Sequence, residues 1–535
     1  MAWRRDRALR IVADLAKRYL VGSSRYPALF ALNVRGYATI ERLLGPHLGK
    51  IPGVCAVYLA HGLPLGECFP GLSDFDVVVV FDAPDRLQFY ERVRRWWLAT
   101  RRFVPISDLM LVSLPEFELW QRLGGGGDPL DEVAHWRRLW GAELRRDGLD
   151  TASEPAERDR LAHGLGHFQN LMQVAIKEEH PSPGFAVFAR RQLYKSFWGA
   201  LLPMDRRFLA IPEQRRRIDA WAREHGTPAP TAELRAMHGD RFGRGPVTRL
   251  RYTAAAVAFR MINEAPAVRR CASLPLLAPA MFDAPGIPIT NLREVETRVA
   301  TMTSSIAGLL GSSLECIVLG SSGSVRGHAY HVVLRDSLPD GKVEMALRDL
   351  RAAFRVFDDP WFNEHFPGGI PTVSSRSMFL ARLRLTRTSL HYLHRFRRVL
   401  HGSDLYAEAL ASTPADGPVE PRKDELLRDR LSYSIHVNQI YLRRLKPALY
   451  DFVTLHAPRM ALLEATGRAP ATAEEAVEHY GRLHDAPAGE VPRRFLRDHA
   501  GKNMDALAKA LGERDFAEAW PLLRASLIGA GDPGQ

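Results

Sequence analysis

Between residues 50 and 112 the apolar positions fall in short unbroken runs rather than at helical spacing. Val54-Cys55-Ala56-Val57-Tyr58-Leu59-Ala60 is one run, Val77-Val78-Val79-Val80-Phe81 a second, and Val104 to Val112 a third, interrupted by Ser107-Asp108. Runs of this length, rich in β-branched residues and bounded by turn residues, predict buried strands. After residue 150 the period changes. Leu161, Leu165, Phe168, Leu171, Met172, Ala175 and Ile176 recur every three or four positions, which predicts an amphipathic helix over 157–179. Phe188, Leu193, Phe197 and Leu201 predict another over 185–202, begun after Pro181-Ser182-Pro183-Gly184.

The same succession returns later in the chain. Cys316-Ile317-Val318-Leu319-Gly320 matches Cys55-Ala56-Val57-Tyr58-Leu59, and Gly323-Ser324-Val325-Arg326-Gly327 matches Gly62-Leu63-Pro64-Leu65-Gly66, 261 positions on. Val332-Val333-Leu334 follows as Val77-Val78-Val79-Val80 does. Arg397-Arg398-Val399-Leu400 matches Arg137-Arg138-Leu139-Trp140, and Arg428-Asp429-Arg430-Leu431 matches Arg158-Asp159-Arg160-Leu161, 270 positions on. Helices predicted over 428–449 and 452–466 complete the parallel. Five collinear matches at nearly one offset predict an internal duplication. The linkers are a Gly-rich loop, Leu123 to Pro129, expected to be flexible, a Pro- and Ala-rich joint over 274–288, a polar loop over 412–421, and a frayed tail from 529.

The chemistry is concentrated in Ser73-Asp74-Phe75-Asp76. Side chains alternate along a strand, so Asp74 and Asp76 share a face. Two carboxylates so placed repel unless a cation lies between them, and a hard divalent ion such as Mg2+, or Mn2+, suits oxygen ligands and phosphate chemistry. Upstream, the glycines of His61-Gly62-Leu63-Pro64-Leu65-Gly66 let backbone N–H groups approach phosphate oxygens. Downstream, Asp108 stands as a third acid on the next strand candidate.

On these residues the segment from Gly53 to Val112 resembles the DNA polymerase beta-like nucleotidyltransferase superfamily, with Gly62 as the family's glycine, Ser73-Asp74-Phe75-Asp76 as its acidic motif and Asp108 as its third acid. The resemblance implies that Asp74, Asp76 and Asp108 hold metal, that Asp108 helps deprotonate an acceptor hydroxyl, and that Gly62 and Ser73 shape the phosphate turn. One departure stands out: the family's serine after the glycine is Leu63 here. The second copy has Ala329-Tyr330-His331 where the first has Asp74-Phe75-Asp76, and no Asp or Glu from Phe366 to Leu380, although it keeps Gly323-Ser324. It cannot hold metal in the family manner. A decayed copy kept for packing is the simpler account; a substrate-binding partner domain is the sharper one.

Histidines are a second possible source of metal ligands. His163 and His167 are four apart on one predicted helix, but nothing near them completes a zinc set, so a structural pair is expected. His61, beside the glycine turn, is better placed to meet a phosphate. Arg190, Arg191 and Lys195 share a helix and read as a solvated face.

Composition sets the limits. The 535 residues, 46% apolar and 25% charged, describe a multidomain globular chain. The net charge of +12 favours polyanionic ligands without naming one. No basic stripe interleaved with aromatics marks a nucleic-acid groove. The four dispersed cysteines, the absence of a long apolar run and an N-terminus without a signal core predict a cytoplasmic protein with no membrane span. The expected fold class is mixed α/β: two tandem nucleotidyltransferase-like units, each a small mixed sheet with helices followed by a helical domain. The expected boundaries are 1–150 (catalytic), 151–270 (helical), 290–410 (degenerate) and 420–530 (helical). The expected activity moves a nucleoside monophosphate from a nucleoside triphosphate, ATP for instance, to a hydroxyl, more readily on a small molecule than on nucleic acid. The alternatives are a nucleotide-binding regulatory protein without turnover and a terminal nucleotidyltransferase acting on nucleic acid.

Overall fold

In the computed structural model the described residues lie between 15 and 529. They exclude the segments 177–182, 205–210, 227–247, 277–291, 322–327, 355–360, 367–371, 386–396, 413–422 and 485–488, together with some shorter stretches. The chain is mixed α/β. Two four-stranded sheets, ordered β3-β2-β1-β4 and β7-β6-β5-β8, are embedded in helices. Among the described residues no helix is long and apolar enough to cross a membrane.

The first sheet comprises β1 (Val54–Ala60), β2 (Asp76–Phe81), β3 (Asp108–Ser113) and β4 (Arg137–Gly141). β1 runs antiparallel to β2 and β4, and β2 runs parallel to β3. The second sheet, β5 (Leu314–Ser321), β6 (His328–Leu334), β7 (Thr372–Ser375) and β8 (Arg397–Gly402), has the same order and the same strand senses. The irregularities coincide too. Pairing with the second strand shifts between Val54 and Ala56 in one sheet and between Leu314 and Cys316 in the other. Both fourth strands end on a glycine at positive φ, +84° at Gly141 and +75° at Gly402. A Cβ there would stand 2.2 Å from the Cys55 carbonyl and 2.1 Å from that of Glu315, so only glycine permits the strand to close at either place.

This register corrects the sequence alignment in detail. Cys316 takes the place of Ala56, not Cys55. Ala329 takes the place of Asp76, so Tyr330 and His331 replace Val77 and Val78 rather than the acidic motif. Gly323 lies outside the described residues. β4, β7 and β8 are strands that the apolar runs did not reveal; they are short, and β4 and β8 are half-exposed edges.

The helices are distributed between the sheets in an order that chain position does not suggest. Helix α1 (Pro27–Gly49), α2 (Arg86–Thr100) and α3 (Leu114–Leu123) pack on the first sheet. The next group is α4 (Glu154–Ile176), α5 (Pro183–Ala200), α6 (Ile211–Glu224), α7 (Thr248–Glu264) and α8 (Pro266–Ser273). It shares a core with the second sheet and with α9 (Leu292–Leu310), α10 (Asp340–Ala353) and α11 (Arg376–Leu385). After α12 (Leu405–Ala411), helix α13 (Lys423–Arg443) returns to the first sheet. Its Val437, Ile440 and Tyr441 join Val77, Val79 and Leu111 in one core, together with residues of the remaining C-terminal helices.

Matching side chains dock the two exchanged helices. Gln169 of α4 donates from Nε2 to the Val373 carbonyl of β7 (2.9 Å) and accepts from the Val373 N–H (3.1 Å). Asn438 of α13 donates from Nδ2 to the Leu111 carbonyl of β3 (3.0 Å). Leu111 and Val373 occupy the same register position in their sheets. The helix expected over 428–449 is broken: Arg444 has φ +54° and Pro447 follows, so α13 stops at Arg443 and α14 (Lys446–Asp451) starts anew.

Candidate active site

Phe75 is fully buried and stacks on Tyr37, ring centroids 5.3 Å apart, while Asp74 and Asp76 on either side are half-buried. Burial thus alternates along Asp74, Phe75 and Asp76. β2 itself begins at Asp76, so Asp74 belongs to the extended segment leading into it. That segment is fixed by Tyr37, whose hydroxyl donates to the Ser73 carbonyl (3.0 Å) and accepts from the Gly71 N–H (2.9 Å). The Phe75 N–H donates to the Pro105 carbonyl at 2.8 Å. Ser73 is buried, and Leu63 packs against the core of the first sheet.

Asp76 stands in register with Asp108 on the neighbouring parallel strand and with Ala60 on the other side. Both acids follow the phase of Val78, Val80, Met110 and Val112, which pack on one face of the sheet with Trp120, Leu130 and Trp136. Asp108 is about half exposed, at 48%, and its Oδ1 accepts from Arg443 at the end of α13. The guanidinium also lies over Trp97, 5.8 Å from the ring centroid. An arginine 335 residues away thus caps the third acid.

A second group of acids, not foreseen from the sequence, faces the first. The loop after α3 is not a loose linker. Gly124, Gly125, Gly126 and Asp128 to Val133 are buried. The Gly125 N–H donates to both carboxylate oxygens of Asp159 on α4 (3.1 and 3.0 Å). Asp131 forms a buried ion pair with Arg160, one residue further along the same helix. These ties hold Asp128 and Glu132 against His61. The His61 Nδ1 lies 2.9 Å from Glu132 Oε1, and its Nε2 lies 3.6 Å from Asp128 Oδ1. One ligand atom from each of the three residues falls within 4.8 Å of the others. His61 has φ +60°, a conformation uncommon for a residue with a side chain, and it directly follows Ala60, the partner of Asp76.

The electrostatics couple the two groups. Burial opposes charge on His61, but Asp128 and Glu132, with a smaller contribution from Asp76, outweigh it and raise the imidazole. Burial raises the Asp128 carboxyl, and Glu132, Asp108 and Asp76 add to the rise against the pull of His61. Burial also opposes charge on Glu132, yet His61 prevails and holds it below the usual carboxylate range, with help from His163 and Lys195. The histidine pair on α4 therefore belongs to the same neighbourhood. His163 and His167 meet through their Nε2 atoms at 3.0 Å, a hydrogen bond, and burial lowers His167 to about 3. Lys195 is exposed, and the side chains of Arg190 and Arg191 lie outside the described residues.

Of the expected site residues, Asp76 and Asp108 stand in register side by side, with Asp74 two residues before Asp76 in the same phase. Gly62 is in the turn after His61, and Ser73 contributes a buried backbone anchor. Asp128, Glu132 and Arg443 were missed. The run Asp128-Pro129-Leu130-Asp131-Glu132 carries a signal, three acids around an apolar pair, but the glycines before it suggest flexibility instead. No known family model, curated protein or solved structure matches this chain.

Proposed function

We propose that the first sheet carries a metal-dependent nucleotidyltransferase site, and that the chain arose by duplication of this unit with loss of the acids in the second copy. The observation that carries the site is the register of Asp76 against Asp108 on adjacent parallel strands, with Asp74 in phase beside them. The duplication is supported by the shared strand order and sense, the coincident irregularities, and the like-placed Gly141 and Gly402.

The donor set fits Mg2+ or Mn2+, since hard divalent ions take carboxylate oxygens. Asp74, Asp76 and Asp108 are the residues to hold it, and the ion neutralises triphosphate charge when bound. Asp108 accepts the proton of the acceptor hydroxyl once Arg443 has moved aside. Leu63, fixed in the core, cannot replace the family's serine, so backbone N–H groups at Gly62 and cationic side chains take up the phosphates. A small-molecule acceptor is preferred over nucleic acid because the sequence shows no stripe of basic residues interleaved with aromatics.

Calorimetry with Mn2+ and a nucleoside triphosphate tests the reading. The binding heat is expected to vanish in Asp76→Ala; unchanged metal-dependent nucleotide binding in that variant would contradict the assignment. Asp108→Asn is expected to bind nucleotide but to release pyrophosphate about 10²–10⁴-fold more slowly when a hydroxyl acceptor is supplied. The Asp108–Arg443 pair favours one rival, a nucleotide-binding protein without turnover. In that case Asp108→Asn would leave every measured property unchanged.

A further inference from the structure

We propose that His61, Asp128 and Glu132 form a separate site for a transition-metal ion of the Zn2+ class, with His61 Nε2 and Asp128 as direct ligands and Glu132 orienting the imidazole. The geometry is the first argument. Glu132 Oε1 lies 2.9 Å from His61 Nδ1, so a carboxylate accepts the Nδ1 proton and leaves Nε2 as the nitrogen able to bind metal. A carboxylate that fixes the tautomer in this way is the usual outer support of a metal-bound histidine. Nε2 and Asp128 Oδ1 are then 3.6 Å apart, beyond good hydrogen-bond range. Bonds to zinc of about 2.0–2.2 Å at a tetrahedral angle separate two ligand atoms by about 3.4 Å. The spacing is too long for a hydrogen bond and suits two ligands of one ion.

Asp128 supplies the second, independent argument. It is 7% exposed, and its Oδ2 is buried without a hydrogen-bond partner among the described residues. An unpartnered carboxylate oxygen in a buried acidic setting is costly unless a cation is present. Asp76 and Asp108, the latter paired with Arg443, act on Asp128 as further like charges. The nitrogen ligand argues against Mg2+ and for zinc or a similar ion. Buried Asp131–Arg160 and the Asp159 contact to Gly125 hold the loop in place, so the ligands are preorganised. The second sheet offers no copy of this site, because Ser321 stands at the register position after Gly320 where His61 follows Ala60.

The test uses the full chain, stripped with a chelator and given Zn2+ without nucleotide, so that it does not depend on the nucleotidyltransferase reading. One Zn2+ per chain is expected by metal analysis, with affinity reduced at least 100-fold in His61→Ala and in Asp128→Asn. Glu132→Gln is expected to weaken binding about 10–100-fold without abolishing it. X-ray absorption at the zinc edge of the wild-type protein is expected to show nitrogen and oxygen ligands including imidazole. It needs no variant to fold. No bound zinc, zinc retained in both His61→Ala and Asp128→Asn, or a sulfur ligand would each overturn the proposal. Loss of nucleotide binding in Asp76→Ala with zinc retained would support both sites; loss of zinc in His61→Ala alongside unchanged nucleotide binding in Asp76→Ala would keep this site and discard the other.

Discussion

Glu116 shows how much a single residue can settle in this fold. Its carboxylate is fully buried beneath the first sheet, at the start of α3. It accepts from the Ser113 N–H (2.6 Å), from Arg86 (3.2 Å), from Asn438 Nδ2 (2.8 Å) and from Ser434 Oγ. Two of those donors come from α13, more than 300 residues downstream. Removing the acceptor would take from the buried Arg86 guanidinium its carboxylate and from Asn438 and Ser434 one of their partners, though Arg86 keeps the Ile528 carbonyl and Asn438 the Leu111 carbonyl. Glu116→Ala is therefore expected to lower unfolding stability by about 3–5 kcal/mol in urea titration. A variant that unfolds at the wild-type midpoint would show that the network carries no net stability. The same residue marks the limit of reading from sequence. The capping pattern from Ser113 to Glu116 is local and visible, whereas Ser434 and Asn438 could be joined to it only by knowing where α13 docks. The acids divide in the same way. The spacing of Asp74 and Asp76 follows a local rule of strand alternation, the register of Asp108 beside Asp76 depends on how β2 and β3 pair, and Asp128 and Glu132 owe their position to contacts with α4.

At the scale of elements, the two sheets keep one plan with different side chains, and a register-equivalent pair lets that difference be measured. His331 on β6 occupies the place of Val78 on β2. It is 4% exposed, its Nδ1 pairs with Thr372 Oγ1, and Phe379 lies edge-on at 5.7 Å. Burial, with the nearby Arg382 charge adding, lowers it to about 3. The unfolded chain takes up this proton near the ordinary value of 6.5, so between about 6.5 and 3 it binds more protons than the folded state. The stability due to neutral His331 is thus complete above pH 6.5 and is lost as pH falls towards 3. His331→Val installs the side chain that the first sheet uses. It is expected to fold and to show a shallower loss of stability between pH 6.5 and 4 in denaturant titrations. An unchanged slope would mean that other groups dominate acid unfolding. The long apolar strands β1 and β2 and the amphipathic α4 were legible because each buries a continuous pattern. The short β4, β7 and β8 were not, since their strand state comes from neighbours in the sheet rather than from their own composition.

For the whole molecule, the exchange of helices matters more than either sheet. The helix that follows the first sheet, α4, completes the core of the second, and α13, which follows the second sheet, completes the core of the first. The N-terminal parts of the two helices also meet: Arg158 lies 3.5 Å from Glu425, and Arg428 packs against Gly125, where the Asp159 carboxylate is bound. The motif Arg-Asp-Arg-Leu, legible as a repeat, is thus the place where the exchanged helices cross. Four successive domains, the expectation from composition and linkers, would each fold on their own. Cores shared across the chain predict otherwise. Residues 1–150 lack α13, whose Leu431, Ile435, Val437, Ile440 and Tyr441 are buried against the first sheet. Exposing that face forfeits about 1.5–3 kcal/mol for each large apolar side chain left unburied, a total comparable with the whole stability of an ordinary domain. The fragment 1–150 expressed alone is therefore expected to show no cooperative unfolding by circular dichroism. The fragments 1–285 and 286–535, produced together, are expected to associate and to recover a sharp transition, since each then receives the helix it lacks. A stable, cooperatively unfolding 1–150 fragment would refute the shared cores and restore the picture of independent domains in series.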